Sequence, residues 1–151
     1  MTKKNKTIAL IGLGYVGLPL AVEFGKSRAI VGFDINKTRI NELENGVDIT
    51  LETTHQELSD AKHLSYTNNI EDIKNCEIYI VTVPTPIDKY KKPNLIPLTE
   101  ACKLIGSILK KDDNLNFYLL SRIHLWIIYD YFKTKDLRNN DKYFFILEPS
   151  P

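Results

Sequence analysis

The stretch Ile8-Ala9-Leu10-Ile11-Gly12-Leu13-Gly14-Tyr15-Val16-Gly17-Leu18-Pro19-Leu20 decides the fold of this chain. An apolar strand runs straight into a Gly-x-Gly-x-x-Gly turn, and an amphipathic helix follows at once. Each glycine has its own task in such a turn. Gly12 lets the chain leave the strand sharply, Gly14 lets the backbone come close to a ligand, and Gly17 lets the helix pack tightly on the sheet. The new helix then turns its unpaired N–H groups and the positive end of its dipole toward whatever lies in front, which suits a pyrophosphate.

A glycine turn alone is a weak signal, and the next strand strengthens it. Ala29-Ile30-Val31-Gly32-Phe33-Asp34 reads as a strand closed by an acid 17 residues after Gly17. An acid at that tip is where a Rossmann half binds the adenosine ribose hydroxyls, and its charge repels a 2′-phosphate, so NAD is expected over NADP. The plainer alternative is that the glycines only make a tight turn and Asp34 caps the following helix.

The rest of the pattern alternates strand and helix up to about Lys111, which predicts an α/β protein with a parallel sheet and crossover helices. A first helix is expected from about Tyr15 to Lys26, with Val16, Leu20 and Phe24 on one face. A second covers Lys37 to Glu44 and stops at Asn45-Gly46. Thr54-x-x-Glu57 reads as a capping box for a short helix through Asp60. Leu64–Thr67 is a weak strand and Ile70–Lys74 a short helical turn. Glu77-Ile78-Tyr79-Ile80-Val81-Thr82-Val83 is a strong β-branched strand, stopped by Pro84-Thr85-Pro86. That turn falls at the carboxyl end of the strand, where open α/β sheets bind ligands, so Thr85 either faces the dinucleotide or sits in an ordinary proline-fixed loop. Leu98–Lys110 is a helix with Leu98, Ala101, Ile105, Ile108 and Leu109 on its apolar face.

At 151 residues the chain can bury one proper core, and 20 basic against 19 acidic residues leave no electrostatic footprint for nucleic acid or an anionic membrane. Cys76 and Cys102 lie 26 positions apart, outside zinc-ribbon spacings, and read as reduced, buried thiols of a cytoplasmic protein. His55, His63 and His124 show no metal-ligand spacing, so no metal is expected. The basic start Met1–Lys6 leads into a glycine turn rather than a cleavage site, and Phe117–Phe132 is interrupted by Arg122, His124 and Asp130. Neither a signal peptide nor a membrane span is expected.

Three segments carry a resemblance to the nucleotide-sugar 6-dehydrogenases, the UDP-glucose/GDP-mannose dehydrogenase family. They are Ile11–Pro19, Gly32-Phe33-Asp34-Ile35-Asn36 with Arg39, and Val81-Thr82-Val83-Pro84-Thr85-Pro86-Ile87-Asp88. The resemblance covers about the first 113 residues. Pro93-Asn94-Leu95 and Leu51-Glu52-Thr53-Thr54 resemble the branch acting on UDP-N-acetylhexosamines, which feeds capsule and O-antigen polysaccharide synthesis. The resemblance implies oxidation of a C6 alcohol of a small-molecule nucleotide sugar to the carboxylate with two NAD. It also implies cofactor contacts at Gly12, Gly14, Val16 and Gly17 on the pyrophosphate, at Tyr15 beside them in the turn, at Asp34 on the adenosine ribose, at Arg39 by the adenosine end and at Thr85 by the nicotinamide. For Arg39 a solvated charge on an early helical turn is an equally simple reading.

The departure from the family begins near residue 114. The Glu-Ser-Thr-Val-x-Pro-Gly and Ser-Pro-Glu-Arg segments, the dimerisation helix and the catalytic cysteine, lysine and asparagine of the second domain are not found, so no catalytic residue is assigned. From Asn114 to Pro151 there is no glycine, alanine or valine, while nine of the chain's fifteen aromatics fall there. This divides the chain into a Rossmann domain over 1–113, incomplete at its C-terminal end, and an aromatic-rich tail over 114–151. The tail reads as the out-of-frame product of a frameshift near codon 114, or as a genuine aromatic-rich end in which Asn114–Leu120 serves as a fifth strand. The functional expectation is the NAD-binding part of a UDP-N-acetylhexosamine 6-dehydrogenase, inactive as a fragment. The alternative is a free-standing NAD-binding regulatory module without catalysis, docking through Trp126, Tyr129, Tyr131 and Phe132.

Overall fold

The computed structural model describes residues 6–87, 89–90 and 92–109, and the backbone of 116–119. The aromatic anchors Trp126, Tyr129, Tyr131 and Phe132 lie outside the described residues, as does Asp88.

Five strands, β1 (Ile8–Ile11), β2 (Ile30–Phe33), β3 (Leu64–Thr67), β4 (Ile78–Val81) and β5 (Asn116–Leu119), form one parallel sheet in the order β3-β2-β1-β4-β5. The chain starts in the middle, builds outward to β3, then crosses to β4 on the other side of β1. This is the doubly wound arrangement with its switch point between β1 and β4. The register brings Ile11, Phe33 and Val81 level, so the loops after β1, β2 and β4 open on one edge of the sheet.

The apolar strands need cover on both faces, and successive side chains alternate between the two. Ile8, Leu10, Ile30 and Ile80 pack with Leu18, Ala21, Val22, Ile40 and Leu43 on one face. Ala9, Ile11, Phe33, Tyr79 and Val81 pack with Ile73, Leu98, Ala101, Cys102 and Ile105 on the other. Helices α1 (Gly17–Gly25), α2 (Lys37–Glu44) and α3 (His55–Asp60) serve the first face, and α4 (Ile96–Ile108) with a 3₁₀ turn (Ile70–Ile73) serves the second.

Local chemistry sets the ends of these helices. Thr54 and Glu57 form the reciprocal capping box, with the Glu57 amide donating to Thr54 Oγ1 at 3.2 Å and the Thr54 amide to Glu57 Oε2 at 2.8 Å. After α2, the Gly46 amide donates to the Leu43 carbonyl at 3.0 Å and the Val47 amide to that of Glu42 at 2.9 Å. That is a Schellman closure around a left-handed glycine, with Gly46 at φ 71°.

Helix α1 differs from its expected form. It begins at Gly17 rather than Tyr15, because Gly14, Tyr15 and Val16 are spent in the turn off the strand. Its buried line is Gly17, Leu18, Ala21, Val22 and Gly25, with Leu20 and Phe24 only partly covered. Small residues at every fourth position let the helix lie close on the sheet side. A Cβ on Gly25 would come within 2.7 Å of Leu64 Cβ.

Candidate functional site: the turn between strands β1 and β4

The turn after β1 is held from three sides. Gly12 takes φ 96°, a left-handed conformation that an L side chain resists, and its amide donates to the Phe33 carbonyl at 2.8 Å. A Cβ there would also meet the backbone of Thr82 and Val83 at 3.2 Å. From β4, the buried Thr82 hydroxyl lies 2.7 Å from the Gly12 carbonyl and 3.0 Å from that of Ile11, while its amide donates to Ile11 at 2.8 Å. No motif in the sequence marks Thr82. Its signal is one hydroxyl in an apolar run, one residue past the strand end.

From β2, the half-buried Asp34 accepts the Leu13 amide on Oδ2 and the Asn36 amide on Oδ1, both at 2.9 Å. Each oxygen keeps a second lone pair, so the carboxylate is oriented by the protein and still has capacity for two hydroxyl donors. Capping α2 is left to Asn36, whose side chain accepts from Thr38 at 3.0 Å and Arg39 at 3.4 Å. Asp34 is therefore not the cap of that helix.

The first helical hydrogen bond of α1 runs from the Leu18 amide to the Gly14 carbonyl at 3.0 Å. The amides just before it have no carbonyl one turn back to donate to. Gly17 is buried so tightly that a Cβ would overlap the Gly12 carbonyl and the Thr82 hydroxyl. Gly14 is the opposite case: it is exposed, and a Cβ there would meet nothing within 4 Å. Protein packing does not account for a glycine at 14. The open space there leaves room for an incoming group.

Arg39 departs from the solvated-charge reading. It lies in the first turn of α2, and its side chain is only 7% exposed. Nε donates to the Leu13 carbonyl at 2.9 Å and Nη2 to Asp48 Oδ1 at 2.7 Å. Burial pushes the Asp48 carboxyl up, but hydrogen bonds from Thr50, the Arg39 guanidinium and the Thr53 and Thr50 amides outweigh this and hold it well below the usual range. No motif in the sequence marks Asp48 either. Thr85 is half-buried in the loop after β4, which is drawn back by an antiparallel bridge between Ile87 and Pro93 and by the Asn94 amide on the Pro86 carbonyl at 2.7 Å. Tyr15 is 65% exposed beside the turn.

Cys76 and Cys102 are buried in the core, and burial pushes both thiols up to about 11, with the Glu77 charge adding to it at Cys76. Protonated thiols in a packed core are not nucleophiles. Among the described residues, no helix is long and apolar enough to cross a membrane.

The model of the NAD-binding domain of the UDP-glucose/GDP-mannose dehydrogenase family matches residues 6–116, well over half of the sequence. The chain belongs to that family. Within it, UDP-N-acetyl-D-glucosamine 6-dehydrogenase of Salmonella typhi is 62% identical over 106 residues, 70% of this chain and 25% of the relative. The protein of the same name from Pseudomonas aeruginosa is 57% identical over 110 residues, 73% of this chain and 26% of the relative. The solved UDP-D-ManNAc dehydrogenase of Pyrococcus horikoshii superposes with a TM-score of 0.83 at 25% identity, covering 96% of this chain and 36% of that one. The chain thus spans about a quarter of the length of the curated relatives it matches. The matched NAD-binding domain includes the whole of the glycine turn after β1 and the strand end at Asp34.

Proposed function

We propose that this chain is the NAD-binding part of a 6-dehydrogenase acting on a UDP-N-acetylhexosamine, and that on its own it binds NAD without oxidising a sugar. The observation that carries the reading is the open space before Gly14, flanked by helix-start amides and by the pre-oriented Asp34 carboxylate. In this reading Gly12, Gly14, Val16 and Gly17 surround the pyrophosphate, Tyr15 adds a cofactor contact from the same turn, Asp34 takes the adenosine ribose hydroxyls and Thr85 lies toward the nicotinamide. Arg39 stands behind the turn, with its guanidinium on the Leu13 carbonyl. NAD when bound supplies the hydride acceptor, and the residues of this chain hold and orient it. The sugar class is supported by the relatives of 62% and 57% identity, both named for UDP-N-acetyl-D-glucosamine. No described residue is placed to trap an aldehyde, since both cysteines are core groups.

The domain division at 113/114 and the out-of-frame origin of 114–151 belong to the same proposal. They are supported by the composition of the tail and by a family match that ends at residue 116. Sequencing the coding DNA past codon 105 and translating three frames tests the origin: a second frame encoding Ser-Thr-Val-x-Pro-Gly supports it, and its absence refutes it.

The binding claim is tested by urea unfolding of the whole chain with NAD, NADP and UDP-N-acetylglucosamine. A saturating ligand at about one hundred times its Kd raises unfolding free energy by about 2.7 kcal/mol. NAD should raise the midpoint, NADP should do so far less because of the Asp34 charge, and NAD with the sugar nucleotide should give no NADH. Equal stabilisation by both dinucleotides, or by neither, overturns the reading.

A further inference from the structure

Leu13 is the residue between the first two glycines, and its backbone is gripped at both ends. Its amide donates to Asp34 and its carbonyl accepts from Arg39 Nε, at 2.9 Å each. The carbonyl of Leu13 and the amide of Gly14 belong to one planar trans peptide, so they point in opposite directions. A carbonyl drawn inward to a buried guanidinium therefore sends the Gly14 N–H the opposite way, away from that guanidinium, and Gly14 itself is exposed.

The guanidinium is itself anchored. Asp48 has a fully buried side chain, and it accepts from Arg39, from the amides of Thr50, Glu52 and Thr53 at 3.0 Å, and from the Thr50 and Thr53 hydroxyls at 2.6 and 3.1 Å. With both oxygens filled, the carboxylate has no capacity left for a ligand. Glu42 completes the surroundings, its Oε2 3.7 Å from Arg39 Nη1, too long for a hydrogen bond. Asp48 thus cannot touch a cofactor in front of the turn, yet it fixes the group that orients the turn.

We propose that Arg39 is a positioning residue for the pyrophosphate: held by Asp48, it fixes the Leu13–Gly14 peptide so that the Gly14 amide faces the anion. The role rests on the NAD-binding reading for its ligand, but the peptide orientation does not. It also differs from the adenosine contact implied by resemblance, because the effect reaches the cofactor through the backbone. A charged guanidinium is suited to the task, since a planar fork bonds two acceptors in fixed geometry where an ammonium would not.

The test uses the whole chain with Arg39→Met, Asp48→Asn and the double variant. Arg39→Lys is the second line if the first two fail to fold, because it keeps a buried positive charge opposite Asp48. Two quantities are read: the calorimetric Kd for NAD, and the amide shift of Gly14 in ¹⁵N-labelled protein without ligand. Arg39→Met and Asp48→Asn should each weaken NAD about tenfold, as expected for one well-formed hydrogen bond to the anion lost. The double variant should be no worse than the weaker single, and the Gly14 amide should move in all of them, Arg39→Lys included. The proposal is overturned if Asp48→Asn binds NAD as wild type with an unmoved Gly14 amide while Arg39→Met loses affinity, which would place Arg39 directly on the cofactor. It is equally overturned if Arg39→Lys leaves both quantities unchanged. Should the wild type fail to bind NAD, the functional reading falls, while the Gly14 shift still decides the peptide orientation.

Discussion

Alanine at position 14 and alanine at position 17 should have opposite consequences, although both replace a glycine of one short turn. Helix propensity alone favours alanine over glycine by about 1 kcal/mol and would make Gly17→Ala stabilising. The structure reverses this. The added Cβ would overlap the Gly12 carbonyl, a backbone atom fixed by β1, and the Thr82 hydroxyl bonded to it. Relief requires α1 to move off the sheet, and overpacking of that kind costs about 1–3 kcal/mol, more where the neighbour is backbone. The net expectation is a loss of about 2 kcal/mol. With a urea slope of about 1–2 kcal/mol per molar, the unfolding midpoint falls by roughly 1–2 M. Gly14→Ala meets no atom within 4 Å and should leave stability within about 0.5 kcal/mol. Its methyl group stands where the pyrophosphate is to lie, so NAD affinity should fall by at least about tenfold, or 1.4 kcal/mol. Urea titration and calorimetry on the two variants measure both quantities. A Gly14→Ala protein that binds NAD as tightly as wild type refutes the assignment of the turn. A Gly17→Ala protein as stable as wild type refutes the packing argument.

Three further outcomes are expected. Asp48 has its folded-state carboxyl held below the ordinary 3.8, so its contribution is complete above that value and is lost as pH falls through the lower folded one; unfolding free energy measured from pH 5 down to pH 2 should drop, and Asp48→Asn should flatten that drop. The thiols of Cys76 and Cys102, pushed up to about 11 by burial, should resist a thiol reagent at pH 8 in the folded protein and react at once in urea, as followed by absorbance. Thr54→Ala removes the hydroxyl half of the α3 capping box and should cost about 1 kcal/mol in the same unfolding assay.

Much of this is legible in the sequence. The glycine turn, the Asp34 strand end, the Asn45-Gly46 stop and the Thr54–Glu57 box are local signals in which the residue type itself supplies the geometry, and each reads the same in sequence and structure. The face of α1 is less legible, because the large residues Val16, Leu20 and Phe24 of the expected face are not the ones the helix buries. Val16, Leu20 and Phe24 keep helical spacing, but the helix sits so near the sheet that Gly17, Ala21 and Gly25 take the contact line. The contacts of Thr82, Arg39 and Asp48 are hidden for a different reason. Their partners stand 70, 26 and 9 positions away, and nothing local announces which buried charge or hydroxyl meets which carbonyl. The cofactor residues named from the resemblance cluster around one turn except Thr85, which the structure places across the switch point after β4.

The two faces of the sheet also differ in how far apart their parts lie along the chain. Apart from Ile80, the buried residues of the face under α1, α2 and α3 all come from positions 8 to 61, and β1, β2 and β3 pair in order of synthesis. The opposite face joins Ala9 and Ile11 to Tyr79, Val81 and the residues of α4, a closure across some seventy positions. Loop-closure entropy rises with that span, so the first face can form before the second. Pulse-labelled hydrogen exchange during refolding should find the amides of β2 protected ahead of those of β4. The cofactor turn lies on the seam between the two stages, and only the arrival of Thr82 beside Gly12 completes it.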